Sequence, residues 1–275
     1  MSGRLFVCAT PIGNLEDVSL RLLRVLSEAD VIAAEDTRRT RKLLSAHRIT
    51  GQLVAYHQGN EHKQTRFLVD RMKDGTRLAL VSDGGMPAIS DPGYLLVQAS
   101  IQAGIPVEVI PGPSAALSAL VLSGLPTARF AFEGFLPKPE GEKRTRLEAV
   151  ALDDRTLIFF EAPGRVRPTL EAMLEILGDR RVAVARELTK VHEEVLRGTI
   201  GELVARLDED PRGEVVLVVE GAARQAVSLE AAIEMAQGLI EDGMTKSKAA
   251  AKAAATVGAP RRSVYEGLLG SPDAG

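Results

Sequence analysis

Short apolar runs alternate with stretches of helical periodicity through residues 1–123. The runs are rich in β-branched residues and too short for helices, which is typical of buried strands. Between them, apolar residues recur at the spacing of an amphipathic helix. The predicted strands are 5–10, 31–35, 53–57, 78–82 and 107–110, and the predicted helical stretches are 20–26, 67–72, 95–103 and 115–122. This alternation predicts an α/β domain with a mostly parallel sheet and helices on both of its faces.

The pattern becomes less regular after residues 123–126. The next predicted strands are 130–132, 157–161, 182–186, 195–200 and 215–219, with helices at 143–152, 166–177 and 201–207. The third and fourth of these strands are too close for a crossover helix, so we expect them to be antiparallel neighbours. After Gly221 the sequence is Ala-rich without a strand pattern. We therefore predict three domains: 1–123, a second mixed α/β domain at 124–222, and a small helical domain at 223–275.

Three Gly/Pro-rich turns follow predicted strands of the first domain, at residues 10–14, 82–93 and 111–115. In an open parallel sheet, ligands bind beyond the carboxyl ends of the strands, where all three turns are expected. Glycine lets backbone amides approach a ligand closely, and proline stiffens the turn. Both residues are also common in ordinary turns. Three such turns at one edge of a sheet favour a ligand site.

The charge of the longest turn restricts the ligand. Residues 82–93 contain Asp83 and Asp91 but neither Lys nor Arg, and the GxGxxG and GxxxxGK[ST] phosphate-binding patterns are absent from the chain. Acidic side chains disfavour a pyrophosphate and tolerate a positive centre. S-adenosylmethionine, which has a sulfonium and no phosphate, fits this pattern. An oxygen-ligated calcium site is a weaker alternative because the acids lack regular ligand spacing, and no residue cluster has the spacing of another metal site.

Several segments, in their order along the chain, resemble the ribosomal small subunit methyltransferase I family. They are residues 10–15, 34–38, 82–93, 111–115, 123–126, 134–137 and 186–190. The family has the tetrapyrrole methylase fold, in which two α/β domains hold S-adenosylmethionine between them, and it methylates a cytidine 2′-hydroxyl of 16S ribosomal RNA. The resemblance covers residues 4–222. It implies action on the small ribosomal subunit, and it implies a homodimer.

The resemblance also implies a set of cofactor-binding residues from both α/β domains. They are Pro11, Gly84, Gly85, Met86, Ile89, Ser114, Ala115, Glu161 and Thr189. Two positions depart from the family pattern: Gly84 stands where the family usually has Ala, and Met86 where it usually has Thr. The methionine lacks the hydroxyl of a threonine, whereas contacts made by the backbone are retained.

Methyl transfer to a hydroxyl is helped by a base, or by a cation that stabilises the developing alkoxide. Charged residues follow two predicted strands: Asp36 and Arg38 in the first domain, and Arg186, Glu187 and Lys190 in the second. Our hypothesis is that Glu187 or Lys190 assists deprotonation while Arg38 and Arg186 hold phosphates. Charged residues just after a strand are otherwise solvated or paired with each other.

Local basic clusters are needed for RNA binding because the formal net charge of the 275-residue chain is −3. The predicted RNA-binding residues are Arg38, Arg39, Arg41, Lys42, Arg186, Lys246, Lys248, Arg261 and Arg262. Another cluster, Lys138, Lys143, Arg144 and Arg146, opens the second domain. Such clusters are also typical of solvated surfaces. Aromatic residues are only 4% of the chain, so base stacking is not an obvious mode of recognition.

The Ala-rich end of the chain predicts a helix at 249–256, a tight turn at 257–259 and a second helix beginning at Pro260. This pattern resembles a helix-turn-helix, which can hold a phosphate backbone. A capping bundle without a ligand is the alternative.

The single cysteine, Cys8, lies within an apolar strand, so it cannot form an internal disulfide, and no apolar stretch approaches the roughly 20 residues of a membrane span. We expect a cytoplasmic protein without a membrane partner. Two rival functions remain. One is a tetrapyrrole C-methyltransferase, which the basic tail and residues 34–38 disfavour. The other is a non-catalytic nucleic-acid-binding protein that uses the terminal helices.

Overall fold

The first sheet has five parallel strands, which confirms the predicted α/β alternation. The computed structural model describes residues 3–207, 213–223 and 229–270. The strands are β1 (Arg4–Cys8), β2 (Val31–Ala34), β3 (Leu53–Ala55), β4 (Arg77–Val81) and β5 (Val107–Ile110), in the order β3-β2-β4-β1-β5. The carboxyl ends of all five strands therefore lie at one edge of this sheet.

Helices cover both faces of the first sheet. They are α1 (Leu20–Glu28), α2 (Thr37–Ala46), α3 (Glu61–Lys73) and α4 (Tyr94–Gln102). Alternate residues of each strand point to opposite faces: Leu5 and Val7 pack with α3 and α4, whereas Phe6 and Cys8 pack with α1 and α2. Burial on both faces explains the continuous apolar runs of the central strands β1, β2 and β4. Burial also raises the pKa of Cys8 to about 12, which is consistent with a packing role.

The second sheet is mixed. Its strands are β6 (Phe130–Phe135), β7 (Thr156–Glu161), β8 (Arg181–Arg186), β9 (Glu194–Thr199) and β10 (Val215–Val219), in the order β6-β7-β10-β8-β9. Strands β8 and β9 are antiparallel, as their spacing predicted, and β6 is parallel to β7. Three helices pack on one face: α6 (Glu140–Ala149), α7 (Val166–Leu177) and α8 (Ile200–Arg206). Helix α6 begins three residues earlier than the apolar periodicity indicated, since its first turn is polar.

Helix α5 (Ala115–Ser123) covers the other face of the second sheet, although it directly follows the last strand of the first. Its buried residues Ala116, Ala119 and Leu120 pack against Ile158 and Val218 among others. Small side chains allow the helix to approach the sheet closely. This packing places the turn before α5 beside the second sheet.

The chain divides into two compact units, Met1–Ala222 and Ala223–Gly275, and both sheets belong to the first. The second unit contains α9 (Leu229–Glu241), α10 (Lys246–Val257) and α11 (Arg261–Gly270). Its core is formed largely by alanines, including Ala232, Ala236, Ala250 and Ala253. The predicted turn is present: Gly258 ends α10 in the left-handed conformation, with φ of 75°. Within the described residues, no helix has the length and apolar composition needed to cross a bilayer.

Candidate active site

The three Gly/Pro-rich turns of the first sheet lie next to one another. Thr10 and Gly85 exchange two backbone hydrogen bonds, with N···O distances of 2.9 and 3.0 Å. The Thr10 hydroxyl donates to the Ser82 carbonyl at 3.2 Å. A Cβ atom at Gly85 would lie 3.6 Å from Ile12 Cγ2 and 3.9 Å from the Pro113 carbonyl oxygen. The turns therefore form one continuous backbone surface at the carboxyl edge of the sheet.

The two departures from the family pattern have different structural consequences. A Cβ at Gly84 would lie 3.4 Å from the Pro11 carbonyl oxygen, an ordinary contact, so either glycine or alanine fits there. The Met86 side chain packs against the core formed with α3 and α4. The Met86 side chain therefore contributes to the core, and the predicted cofactor contact at this position would be made by its backbone.

The remaining predicted residues of these turns have distinct surroundings. Ser114 caps α5, with its hydroxyl accepting from Leu117 N at 3.4 Å, and Ala115 begins that helix. Pro11 is half-buried, whereas the Ile89 side chain is 49% exposed. Pro11, Ser114 and Ala115 belong to turns that meet at Gly85, and Ile89 lies farther along the longest turn.

Two loops hold residues in the strained left-handed region. Ala88 and Ser90 have φ values of 69° and 63°, and Glu187 and Thr189 have values of 50° and 65°. These are four of the five non-glycine residues with positive φ in the described chain. This conformation is unfavourable for side chains with a Cβ, and it is often found at functional sites. One loop follows β4, and the other follows β8.

The edges of the two sheets meet at two points. The position of a Cβ on Gly13 is 2.6 Å from Lys190 Cγ and 2.8 Å from Thr189 Oγ1, so only glycine allows this approach. The corresponding position on Gly134, at the end of β6, is 3.5 Å from Ser90 Oγ. Turns of the first sheet thus contact loops of the second, and the two edges face each other within the first unit.

The edge of the first sheet carries a cluster of carboxyl groups. Glu35 Oε2 accepts from Asp83 N at 3.4 Å, and Asp83 Oδ2 is 3.5 Å from Arg39 Nη1. Burial, together with the charge of Glu35, raises the pKa of Asp91 to about 7. Burial also raises the pKa of Glu35. Because Arg39 compensates only part of this charge, the cluster would be stabilised by a positively charged ligand.

Charges at the edge of the second sheet are paired. Lys190 Nζ donates to Glu187 Oε1 at 2.8 Å and lies 3.3 Å from Glu214 Oε2. The hydrogen bond from Lys190 lowers the pKa of Glu187. Burial lowers the pKa of Lys190, but its two carboxylate partners outweigh burial, so the net shift is upward. A protonated lysine cannot accept a proton. The favoured ammonium form suits the stabilisation of a developing alkoxide, while the hypothesis that Glu187 or Lys190 assists deprotonation stays a prediction.

The Thr189 hydroxyl is buried and has no hydrogen-bond partner, a condition that only one other side-chain atom of the described residues shares. Buried polar atoms are normally hydrogen-bonded, and an exception requires an explanation. Thr189 lies against the first turn, at Gly13. An unsatisfied hydroxyl at this contact supports its predicted role in ligand binding.

The Glu161 side chain is buried at the end of β7. Its carboxylate accepts from Thr169 Oγ1 at 2.7 Å and from Ala162 N at 2.8 Å, and it lies 3.4 Å from Arg165 Nε. Arg165 in turn donates to the Leu136 carbonyl at 3.0 Å. These contacts occupy both oxygens of the buried carboxylate, so the side chain stabilises the loop after β6, and the assignment of Glu161 to cofactor binding stays a prediction.

The basic residues of α2 lie beside the turns. A cavity of about 110 Å³ lies between α2 and the turns. Its lining includes Arg39 and Lys42 of α2, together with Thr10, Pro11 and Asp83. Arg38 is 85% exposed and binds Asp36 at 2.9 Å, and its hydrogen bonds lower the pKa of Asp36 to about 2. Arg41 and Lys42 are exposed and form no ion pair with any described residue. The surface formed by these residues of α2 is hereafter called the α2 basic surface.

Arg186 and the basic residues of α6 are paired with acids. Arg186 Nε donates to Glu194 Oε2 across the β8–β9 pair at 2.6 Å. Lys143 is buried and lies 2.8 Å from Glu140, while Arg144 binds Glu175 through two hydrogen bonds of 2.7 and 2.6 Å. The α6 cluster that the sequence shows is therefore largely neutralised.

The predicted RNA-binding residues of the second unit lie on α10 and α11. Lys248 and Lys252 are exposed and lie four residues apart on α10, on the side opposite the buried alanines. Lys246 is the first residue of α10. Arg261 donates to Ser247 Oγ at 3.1 Å, and Arg262 binds Glu266 at 2.8 Å.

Three phenylalanines of β6 and β7 form a cluster that the sequence pattern did not predict, although Phe135 lies in segment 134–137 of the family resemblance. The ring centroids of Phe132 and Phe135 are 4.9 and 5.5 Å from that of Phe160. Aromatic residues are few, and the members of this cluster are separated along the chain. For both reasons the sequence does not indicate that they lie together. As for metals, the described residues contain no group of three or more His, Cys, Asp and Glu side chains that could hold an ion.

Comparisons with known proteins agree with this architecture. The profile of the family described as Tetrapyrrole (Corrin/Porphyrin) Methylases matches residues 4–204. The chain is 46% identical over 270 residues to Ribosomal RNA small subunit methyltransferase I of Halalkalibacterium halodurans, covering 96% of this chain and 93% of that protein. The protein of the same name from Thermotoga maritima is 45% identical over 220 residues, which are 80% of this chain and 99% of the relative.

Solved structures share the fold. One is uroporphyrin-III C-methyltransferase from Thermus thermophilus complexed with S-adenyl homocysteine, with a TM-score of 0.56 and 24% identity over 79% of this chain and 97% of that one. Another is the methyltransferase CobJ, with a TM-score of 0.60 and 21% identity over 81% of this chain and 95% of that one.

Proposed function

Because this chain belongs to the tetrapyrrole methylases and, among them, to the ribosomal RNA small subunit methyltransferase I family, we propose that it methylates the 2′-hydroxyl of a cytidine in 16S ribosomal RNA. The family uses S-adenosylmethionine. The observation that carries the proposal is the cleft between the two sheets, where glycine-rich turns and uncompensated carboxyl groups face a lysine and a strained loop.

The residues at the first edge fit the cofactor. When bound, S-adenosylmethionine supplies a methyl group on a positively charged sulfur. The carboxyl groups of Glu35, Asp83 and Asp91 favour such a cation, and the absence of a basic side chain from residues 82–93 disfavours a phosphate ligand. Backbone groups of Gly84, Gly85 and Met86 would orient it, with Thr189 approaching from the second edge.

The chain's own residues then act on the acceptor. The ammonium of Lys190 is held at the cleft by Glu187 and Glu214, and its charge would stabilise the oxygen as the 2′-hydroxyl gives up its proton to a solvent molecule. Glu187 has a lowered pKa and is correspondingly a weak base, so we assign it the positioning of Lys190. Two apposed edges can hold the two reactants in line and exclude water.

RNA phosphates would be held by the α2 basic surface, and by the exposed lysines of α10 in the second unit. The Thermotoga maritima relative is matched over 220 residues, close to the length of our first unit, and carries the same name. We therefore assign the second unit to RNA affinity and the first to chemistry. We further propose that the first unit comprises two domains divided near residue 123, and that the protein acts in the cytoplasm as a homodimer on the small ribosomal subunit.

The deciding experiment offers methyl-labelled S-adenosylmethionine with small ribosomal subunits, naked 16S ribosomal RNA or a tetrapyrrole. We expect label in the RNA, at a ribose, and none in the tetrapyrrole. Label only in the tetrapyrrole would refute the proposal in favour of a C-methyltransferase. Calorimetry that detects no binding of S-adenosylmethionine would favour the non-catalytic nucleic-acid-binding protein.

A further inference from the structure

The aromatic cluster at the ends of β6 and β7 presents one ring to solvent. Phe160 contacts Phe132 and Phe135 edge to face, with interplanar angles of 72° and 62°. Phe132 and Phe160 are partly buried against the core that contains α5, whereas the Phe135 side chain is 56% exposed. A single exposed apolar residue is ordinary. Phe160 supports the exposed Phe135 ring and is itself packed against Phe132, so Phe135 offers a preformed flat surface.

A β-bulge gives Phe135 its orientation. Phe132 pairs with Ile158 and Phe135 with Phe160, and the register shifts between Phe132 and Gly134. Residues three apart in a regular strand point to opposite faces, so without this bulge Phe135 would face away from Phe160. Gly134 accommodates the irregularity with φ of 67°.

The backbone segment that carries this ring lies where the two sheet edges meet. Gly134, the neighbour of Phe135, approaches Ser90 of the strained loop after β4. On the other side of Phe135, the carbonyls of Leu136 and Pro137 are fixed by Arg165 at 3.0 and 2.9 Å. The segment that carries Phe135 is thus anchored from both sides, next to the cofactor turns.

We propose that Phe135 is the surface on which the target pyrimidine base stacks when its nucleotide enters the cleft. The inference rests on the proposed function. A ribose hydroxyl can reach a narrow cleft only if its nucleotide leaves the RNA stack, and the unstacked base then needs another flat apolar partner. Phe135 supplies it without an induced change, since its position is already fixed. The adenine of the cofactor is the other flat group at this site, and the test separates the two.

The test compares three variants of the full chain. Phe135→Leu keeps an apolar side chain but removes the aromatic face, Phe135→Tyr retains that face, and Phe67→Ala removes a ring of similar exposure, 52%, from α3. For each, kcat/KM is measured with small ribosomal subunits and S-adenosylmethionine affinity is measured by calorimetry. We expect Phe135→Leu to lose between about 5-fold and about 150-fold in kcat/KM, with cofactor affinity unchanged and the other two variants close to the parent protein.

Three results would overturn the inference: parental kcat/KM in Phe135→Leu, an equal loss in Phe67→Ala, or a loss of cofactor affinity that matches the loss in kcat/KM. The last result would assign Phe135 to the cofactor. Failure of the parent protein to methylate RNA would overturn the proposed function itself, and the stacking role with it. Thermal unfolding of all variants verifies that each is folded.

Discussion

The two sheet edges that face each other in the first unit are built from opposite electrostatic arrangements. At the first edge, partial burial raises the pKa values of Glu35 and Asp91, and the charge of Glu35 raises the pKa of Asp91 further. At the second edge, Glu187 and Lys190 are paired, and their pKa shifts favour the charged form of both. A site with uncompensated charge is suited to a ligand of opposite charge, whereas a paired site is suited to holding a side chain in place.

The difference in charge compensation indicates that the two edges serve different functions. The first edge gains most from a bound cation, so its residues should determine cofactor affinity. The second edge gains little from an added charge, so its residues should determine the rate of the chemical step and the position of the acceptor. Substitutions at the two edges should therefore separate binding from turnover.

The largest effect is expected at the second edge. Lys190→Met should lower the single-turnover rate of methyl transfer by about 100- to 1000-fold, the usual cost of removing a group that stabilises a developing oxyanion. Cofactor affinity should change little. Glu214→Gln is the matched control, because it removes only the exposed partner of Lys190. A rate within a few-fold of the parent value in Lys190→Met would show that its charge has no part in the reaction.

Asp91→Asn should weaken S-adenosylmethionine binding by about 10- to 100-fold, since it removes a buried negative charge beside a cationic ligand. Asp17→Asn, an exposed acid after the first turn, should leave affinity unchanged. Calorimetry measures both.

The same aspartate predicts a pH dependence. The Asp91 pKa is raised from 3.8 to about 7, so the folded protein without ligand binds a proton that the unfolded chain releases. Its contribution to the free energy of unfolding therefore falls as pH rises from about 4 to about 7. A cationic ligand favours the ionised form, so cofactor affinity should increase with pH up to about 8 and then level off. An affinity that stays flat in the parent protein, or a pH dependence that persists in Asp91→Asn, would contradict this assignment.

The smallest expected effect is on RNA affinity, and it should differ between the α2 basic surface and the basic residues of α6. Arg41→Ala and Lys42→Ala should each lower RNA affinity a few-fold and reduce the slope of log K against log salt by about 1 per lost phosphate contact. Arg144→Ala should leave the slope unchanged, because its guanidinium is bound to Glu175. Equal slopes for all three variants would show that the α2 basic surface does not contact RNA phosphates.

The sequence predicted most strands well because β1, β2, β4, β7 and β10 consist largely of continuous apolar runs. The end of β6 was missed, since it contains Glu133 and Gly134. The sequence pattern also missed α2, in which only Leu43 and Leu44 are large apolar residues and the remainder is mostly charged or polar. The available signal was Asp36, whose side chain caps the helix by accepting from Arg38 N at 2.8 Å.

The site was predictable only in part. The Gly/Pro-rich turns correctly located the first edge. They could be recognised because ligands bind beyond the carboxyl ends of parallel strands, and the order of strands and turns along the chain shows which turns lie there. The burial of the Glu161 side chain depends on the direction in which it points. The orientation of the Phe135 ring depends on a β-bulge. The apolar pattern of the sequence indicates neither. Likewise, nothing in its periodicity indicates that α5 packs on the second sheet.

Helix α5 tethers the two edges to each other. It is buried against the second sheet through Ala116, Ala119 and Leu120. Only residues 111–114 separate its first residue from the end of β5 in the first sheet. Leaving the second sheet would expose the apolar surface of the helix, at about 25 cal/mol for each Å². As long as the helix stays packed, the separation of the two edges next to β5 is therefore limited by the reach of a four-residue turn.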